Sequence, residues 1–485
     1  MARLGELRFD NSYARMPEAF RRRVAPTPFP GAHLVSFNAD AARLLDLDAG
    51  EEHRPEFVDY FSGAAALPGA DPVAMLYAGH QFGVWVPQLG DGRAVLLGEV
   101  VNGRGERWDL HLKGCGKTPF SRFGDGRAVL RSTVREYLGS EAMHGLGIPT
   151  TRALCVIGGA EPVYREQVEG NATLLRLSPS HVRFGTFEVF ADRGQDEHVR
   201  ALADHVIGLH FEGLPAGPRR YAAFLAEVVE RTARLVADWQ AAGFAHGVMN
   251  TDNMSVLGLT IDYGPFGFMD DFDFGYVCNH SDREGRYAFG RQPSVALWNL
   301  TRFAEALLPI LDEEDAVAAL GMFEPAFSAR FLARMRAKLG LADDRDDDAG
   351  LVSGLLALLQ ETRPDYTIFF RRLAELPVDG EGCGPLPVDS LAALPWVSRY
   401  RERVRAEGLS DAERRERMDR VNPLYVLRNF VAETAIRLAV DERDYTEIDR
   451  VLDLLRDPFT PRPGMGGYEG PPPPWGRHLV VSCSS

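Results

Sequence analysis

Lys113, Glu136, Asp252, Asn253 and Asp262 are the residues whose types, order and spacing suit chemistry on phosphate groups. Lys113 ends the alternating run "DLHLK", and Glu136 follows 23 residues later in a helically spaced stretch. Only three lysines, Lys113, Lys117 and Lys338, stand among 54 basic residues, so a lysine here is a choice of compact point charge over the arginine fork. Far downstream, "HGVMNTDNMSVLGLTIDYG" offers Asp252, Asn253 and, at the end of an apolar run, Asp262. A strand lysine held by a helix acid, with an acid and an amide for a divalent cation, is the equipment of phosphoryl chemistry. Each part has a plainer reading. Lys113 and Glu136 could form a surface ion pair worth little, Asn253 could cap a turn, and Asp262 could end a strand. Their order along one chain favours the site.

The stretch "GDGRAVL" occurs twice, at Gly90–Leu96 and Gly124–Leu130. A solenoid needs at least three units that cover one another, and there is no third copy. The shared part is local: Gly-Asp-Gly lets the backbone turn tightly and approach a ligand, whereas alone it is an ordinary turn. Gly90 and Gly92 of the first copy are the candidate Gly-rich turn over a nucleotide.

Composition narrows the class. The 485 residues, 45% hydrophobic and 25% charged, suit two to four globular domains or one large two-lobed unit. A net charge of −15 argues against a nucleic-acid partner. The first residues, "MARLGELRFDNSYARM", lack a signal-peptide core, and no run is expected to reach the length of a membrane span, so a cytoplasmic protein is expected. Cys115, Cys155, Cys278, Cys383 and Cys483 are too scattered for a disulfide scaffold or a zinc site.

The elements that must position these residues read as an α+β fold, a β-rich lobe with one inserted helix followed by a helical lobe. Residues 1–75 mix short signals and read as an N-terminal extension. In 76–194, "VWVPQL", "AVLLGEVV" and "RWDLHLKG" read as a meander, and "RAVLRSTVREYLGSEAMHGLG" as a helix to about His144. "TRALCVIGG", "EPVYREQVE" and "NATLLRLSP" then read as three strands. Helical patterns fill 195–460, interrupted by an expected hairpin in "MSVLGLTIDYG". Residues 461–485 are Pro/Gly-rich and read as a tail. A cleft between two such lobes suits a nucleotide.

The segments "AGHQFGVWVPQLGDGRA", "DLHLKGCGKTPFSRFGDGRAVLRSTVREYL", "HGVMNTDNMSVLGLTIDYGPFGFMDDFD", "VNPLYVLRN" and the final "CSS" resemble the selenoprotein O (YdiU) family, from about residue 8 to the end. That family comprises protein-kinase-like proteins that act as protein adenylyltransferases. The resemblance implies ATP as substrate, Mg²⁺ or Mn²⁺ as cofactor, and transfer of AMP to Ser, Thr or Tyr hydroxyls of proteins by a monomer. It places Gly90, Gly92, Arg93, Asp125, Gly126, Arg176 and Arg183 on the nucleotide. Lys113 would hold phosphates with Glu136 as its partner, Asp252 would be the general base, and Asn253 and Asp262 would hold metal.

It also implies a nucleotide bound inverted relative to kinases, its terminal phosphates gripped by Arg176 and Arg183, whose plainer reading is two surface arginines. Two features depart from kinase patterns. Val248 follows His246-Gly247 where small-molecule kinases carry the base, which leaves open a phosphotransferase with a displaced base or an inactive scaffold. The literal Asp273-Phe274-Gly275 follows no apolar strand, so Asp273 reads as a turn residue and Asp262 as the metal acid. Finally, Cys483 occupies the position where animal relatives carry selenocysteine. This implies a redox role, and a Cys278–Cys483 disulfide stands against the alternative of two reduced thiols.

Overall fold

The computed structural model describes residues 1–217, 219–477 and 479–482. Ten strands run through the first 178 residues: β1 (Arg21–Arg23), β2 (His33–Phe37), β3 (Val73–Met75), β4 (Gly79–Gln81), β5 (Val84–Val86), β6 (Ala94–Val101), β7 (Arg107–Lys113), β8 (Ala128–Val129), β9 (Arg152–Tyr164) and β10 (Val168–Ser178). Eight of them form one antiparallel sheet, ordered β1-β3-β6-β7-β10-β9-β2 with β8 on β10, while β4 and β5 make a separate hairpin.

Strand alternation explains how this sheet serves a site. In β7, Leu110 and Leu112 enter the core beneath the sheet with Leu175 and Leu177 of β10, Phe57 and Phe61. Asp109, His111 and Lys113 therefore share the opposite face, where register sets Arg176 across from His111. That face meets a second core, built from Leu96, Leu174 and the helix α3 named below.

The helices are α1 (Ala39–Ala42), α2 (Pro55–Ser62), α3 (Leu130–Gly145), α4 (Phe184–Asp192), α5 (Asp196–His210), α6 (Arg220–Ala242), α7 (Gln292–Leu307), α8 (Glu313–Leu320), α9 (Phe323–Lys338), α10 (Asp348–Thr362), α11 (Tyr366–Ala374), α12 (Ser390–Arg405), α13 (Asp411–Asp419), α14 (Asn429–Arg437) and α15 (Thr446–Arg456). The core around α3 runs on into α4 to α7, α14 and α15, and a further core joins α9 to α13. A large antiparallel sheet followed by many helices is an α+β architecture.

Several expectations change. Residues 1–75 are no separate extension: they supply β1, β2 and β3, and so both ends of the sheet. The three strands expected across 151–179 are two, because "EPVYREQVE" straddles the turn in which Arg165 N–H donates to the Gln167 carbonyl at 3.0 Å. The hairpin expected in "MSVLGLTIDYG" does not form. Ser255 bridges Arg183 and Thr260 bridges Thr150, so the two halves pair with different parts of the chain on either side of a turn at Gly258, where φ is +68°. The helix boundary lies earlier than 195, since α4 begins at Phe184.

Contrary to the expectation of no span-length run, Glu313–Lys338 is long and apolar enough by length and composition to cross a membrane. It comprises α8 and α9 with Gly321-Met322 between them, and it packs on α6 and α7. In the tail, the described residues form only two short 3₁₀ turns, Gly466–Tyr468 and Pro474–Gly476. Cys483, on which the disulfide expectation rests, lies outside the described residues.

Candidate active site

The shared face of β7 and β10 carries a chain of buried charges. Lys113 Nζ pairs with Glu136 Oε2 from α3, and the other Glu136 oxygen accepts from Arg176 at 3.1 Å. Arg176 also pairs with one oxygen of Asp262, whose second oxygen is taken by Arg183. Arg183 is further fixed by the Asp252 carbonyl, to which it donates at 2.7 Å, and by the Tyr77 ring 4.4 Å from its guanidinium carbon. Asp262 itself sits in left-handed backbone at φ +54°, uncommon outside glycine.

The electrostatics follow from this crowding. Burial opposes ionisation of Asp262, but Arg183 and Arg176 outweigh it and hold the carboxyl well below its usual range. Burial likewise opposes the charge on both arginines, and Asp262 reverses the balance, raising each above the ordinary guanidinium value. For Lys113, burial wins over Glu136 and lowers the ammonium below its usual range.

Asp252 is different. It lies in the 3₁₀ turn Thr251–Asn253, buried, with one carboxylate oxygen accepting from Gln81 Nε2 at 3.3 Å and the other without a partner. Burial pushes its carboxyl up to about 6, against the pull of Arg183. The hairpin β4–β5 closes on it so tightly that a Cβ at Gly79 would stand 2.5 Å from Asp252 Oδ1. Asn253 donates from Nδ2 to the Val248 carbonyl at 3.0 Å, leaving its amide oxygen for another partner.

A cleft of about 360 Å³ collects Gly92, Arg93, Lys113, Arg176, Arg183, Asp252, Asn253 and Asp262 on its walls. It continues past Tyr77, Gln81 and Arg93 into a space of about 570 Å³ lined by Gly90, Gly92, Asp125, Gly126 and Arg165. Both copies of "GDGRAVL" therefore flank one opening, which is ample for a nucleotide. They clasp each other through intervening residues, Thr118 Oγ1 donating to the Asp91 carbonyl and Ser121 Oγ to that of Gly92. In the second copy, Asp125 is engaged by Arg165 at 2.7 Å.

Every candidate from the sequence thus reaches this cleft or, like Glu136, stands directly behind its wall. Asp273 does not, and its carboxylate instead accepts from Gly275 N–H at 2.8 Å in a turn. Gln81, Tyr77, Asp91 and His111 were not legible as site residues. The signal for His111 was present in "DLHLK", where polar residues alternate with leucines that must be buried. Among the described residues no cluster of three His, Cys, Asp or Glu stands ready for a metal. Asn253 and Asp262 offer the oxygen donors that Mg²⁺ or Mn²⁺ prefer, but both Asp262 oxygens are held by Arg176 and Arg183, so a cation there would have to displace one of them.

Comparison with known proteins bears on which reaction such a cleft performs. Residues 3–456 match the family model described as protein adenylyltransferase SelO. Along its whole length the chain is 60% identical to the protein nucleotidyltransferase YdiU of Myxococcus xanthus and 54% identical to that of Thiobacillus denitrificans, each covered over 100% of its own length.

Proposed function

Because the chain belongs to the SelO (YdiU) family of protein adenylyltransferases, we propose that it transfers AMP from ATP to Ser, Thr or Tyr hydroxyls of proteins and releases pyrophosphate. The observation that carries the residue assignment is the contrast between two neighbouring acids. Asp262 is saturated by Arg176 and Arg183, whereas Asp252 keeps an unpartnered buried oxygen on the same cleft. A proton acceptor needs the second state, whereas Asp262, with both oxygens held by arginines, would bind a cation only as Arg176 and Arg183 turn toward the phosphates.

In this reading, the substrate hydroxyl gives its proton to Asp252 as its oxygen bonds to the α-phosphorus. The bond from that phosphorus to the bridging oxygen breaks, and the electron pair leaves on pyrophosphate. Lys113, Arg176 and Arg183 hold the β and γ groups deep in the cleft, which is the inverted orientation relative to a kinase, and Arg93 and the two glycine loops line the entrance. Asn253 and Asp262 would hold Mg²⁺ or Mn²⁺, which supplies charge stabilisation to the phosphates when bound. Val248 on the cleft wall cannot accept a proton, and of the other acids there Asp262 is held by two arginines and Asp91 by Met75 N–H and His111.

The wider plan is a kinase-like pair of lobes, the sheet with α3 bearing the nucleotide loops and the later helices bearing Asp252 and Asp262. The tail joins the second: the Val481 carbonyl accepts from His280 N–H at 2.9 Å, two residues past Cys278. A Cys278–Cys483 disulfide would tie the tail to that segment and make activity redox-sensitive. Peptide mass spectrometry of protein substrates after incubation with ATP and Mg²⁺ or Mn²⁺ tests the main reading. Adenylylated hydroxyl residues are expected. Phosphorylated ones would instead favour a phosphotransferase, and unmodified substrate a non-catalytic scaffold.

A further inference from the structure

Behind Arg176 lies a buried pair that the proposed chemistry does not use. Arg176 donates from NH2 to Nδ1 of His111 at 2.6 Å. A guanidinium has no acceptor, so Nδ1 must carry the lone pair and His111 is the neutral tautomer with its proton on Nε2. Nε2–H donates to Asp91 Oδ2, the two atoms 3.1 Å apart. The same Asp91 oxygen accepts from Met75 N–H at 3.0 Å, and Asp91 N–H returns a bond to the Met75 carbonyl at 2.9 Å. His181 stacks on the His111 ring with centroids 4.3 Å apart, covering one of its faces, and is itself held by Asp109 at 3.0 Å. His111 is completely buried and Asp91 nearly so.

Asp91 is the central residue of the first Gly-Asp-Gly turn. One carboxylate thus fixes the nucleotide loop to β3 and also sets the tautomer of the imidazole that aims Arg176. We infer that His111, oriented by Asp91, is a positioning residue for Arg176, coupling the seating of the Gly90–Gly92 turn to the direction of the phosphate-gripping fork. This rests on the reading that Arg176 grips phosphates. An arginine reaching from a strand has several rotatable bonds, and Glu136 and Asp262 attract it without fixing its plane. The imidazole supplies the third, directional contact, because a bidentate grip works only when the fork is aligned.

Two isosteres of His111 separate the contacts. His111→Asn leaves a carbonyl oxygen near Nδ1 and keeps the acceptor for Arg176. His111→Gln reaches toward Asp91 instead and leaves Arg176 without one. The measurement is the ATP dependence of AMP transfer, with Tm as a folding control, for both variants alone and combined with Arg176→Ala. The expected result is a KM for ATP raised about tenfold in His111→Gln and near wild type in His111→Asn. In the Arg176→Ala background, His111→Gln should add nothing, because a residue acting through another has no effect once that other is gone.

If the two His111 variants behave alike, or if His111→Gln adds its full effect to Arg176→Ala, His111 does not act through Arg176 and the inference falls. If Arg176→Ala alone leaves the KM for ATP unchanged, the parent reading of Arg176 falls and takes the inference with it. Should His111→Gln not fold, His111→Leu, which fills the site and offers Arg176 no acceptor, poses the same test of additivity with Arg176→Ala.

Discussion

The raised carboxyl of Asp252 gives the account a pH signature. With its value near 6, the fraction ionised is about 99% at pH 8 and about 9% at pH 5, so a reaction needing the carboxylate should slow about tenfold between them. The assay is kcat/KM for AMP transfer across this range, which reports the free enzyme. Burial of Asp252 does not itself drive acid unfolding. Burial also keeps His111, His181, His205, His210 and His246 neutral, however, and these favour the unfolded state as pH falls. Tm is therefore measured at each pH to separate loss of fold from loss of the carboxylate. A carboxyl raised from 3.8 to about 6 by burial makes the fold more stable when protonated, and stability falls as pH rises through about 6. The acid side is therefore the safer side for this residue, by at most about 3 kcal/mol for two units of difference. Asp252→Asn should abolish the acid limb, lower the rate by about 10²–10⁴-fold, and leave the protein at least as stable at pH 8. A flat wild-type profile from pH 8 to 5, or an acid limb that survives in Asp252→Asn, would refute the assignment of Asp252 as base.

Other outcomes follow from the same geometry. Asp262→Asn should eliminate transfer while nucleotide binding in the absence of divalent cation, measured by calorimetry, persists; loss of the folded state instead would mean that Asp262 serves mainly to neutralise Arg176 and Arg183. Lys113→Ala should lower kcat/KM for ATP by about 10²-fold or more through lost phosphate contact, with an unchanged value counting against the lysine's role. Gly79→Ala would push its methyl into Asp252 Oδ1, so transfer should fall by at least about tenfold with little change in the KM for ATP. Under oxidation, non-reducing peptide mapping should yield a Cys278–Cys483 peptide and transfer should respond to a thiol reductant; neither effect would mean that the tail carries no switch.

How much of this was legible in the sequence depended on whether a signal was local. Helix α3 ends within a residue of its expected limit because its apolar spacing is regular and Gly145 and Gly147 mark its close. Lys113 and Glu136 were readable because one ends an alternating strand and the other sits in the second turn of that helix. One end of the sheet was not readable: β1 and β3 are three residues each, and the edge strand β1 forms by pairing with β3 across residues 24–72. The expected hairpin before Asp262 failed for a related reason. Its residues have strand-like character, but their partners, Arg183 and Thr150, are far away in sequence. At the site, residue types announced the charged groups, whereas Gln81 and His111 matter through who faces them, which depends on the hairpin β4–β5 and on the β7–β10 register.

The most direct test uses ATP labelled separately at the α and γ phosphates, with purified enzyme, divalent cation and a protein substrate. The expected result is α label on protein, no γ label on protein, one pyrophosphate released per adenylyl group, and loss of all transfer in Asp262→Asn. Transfer of γ label with ADP as product would contradict the proposed orientation of the nucleotide in the cleft.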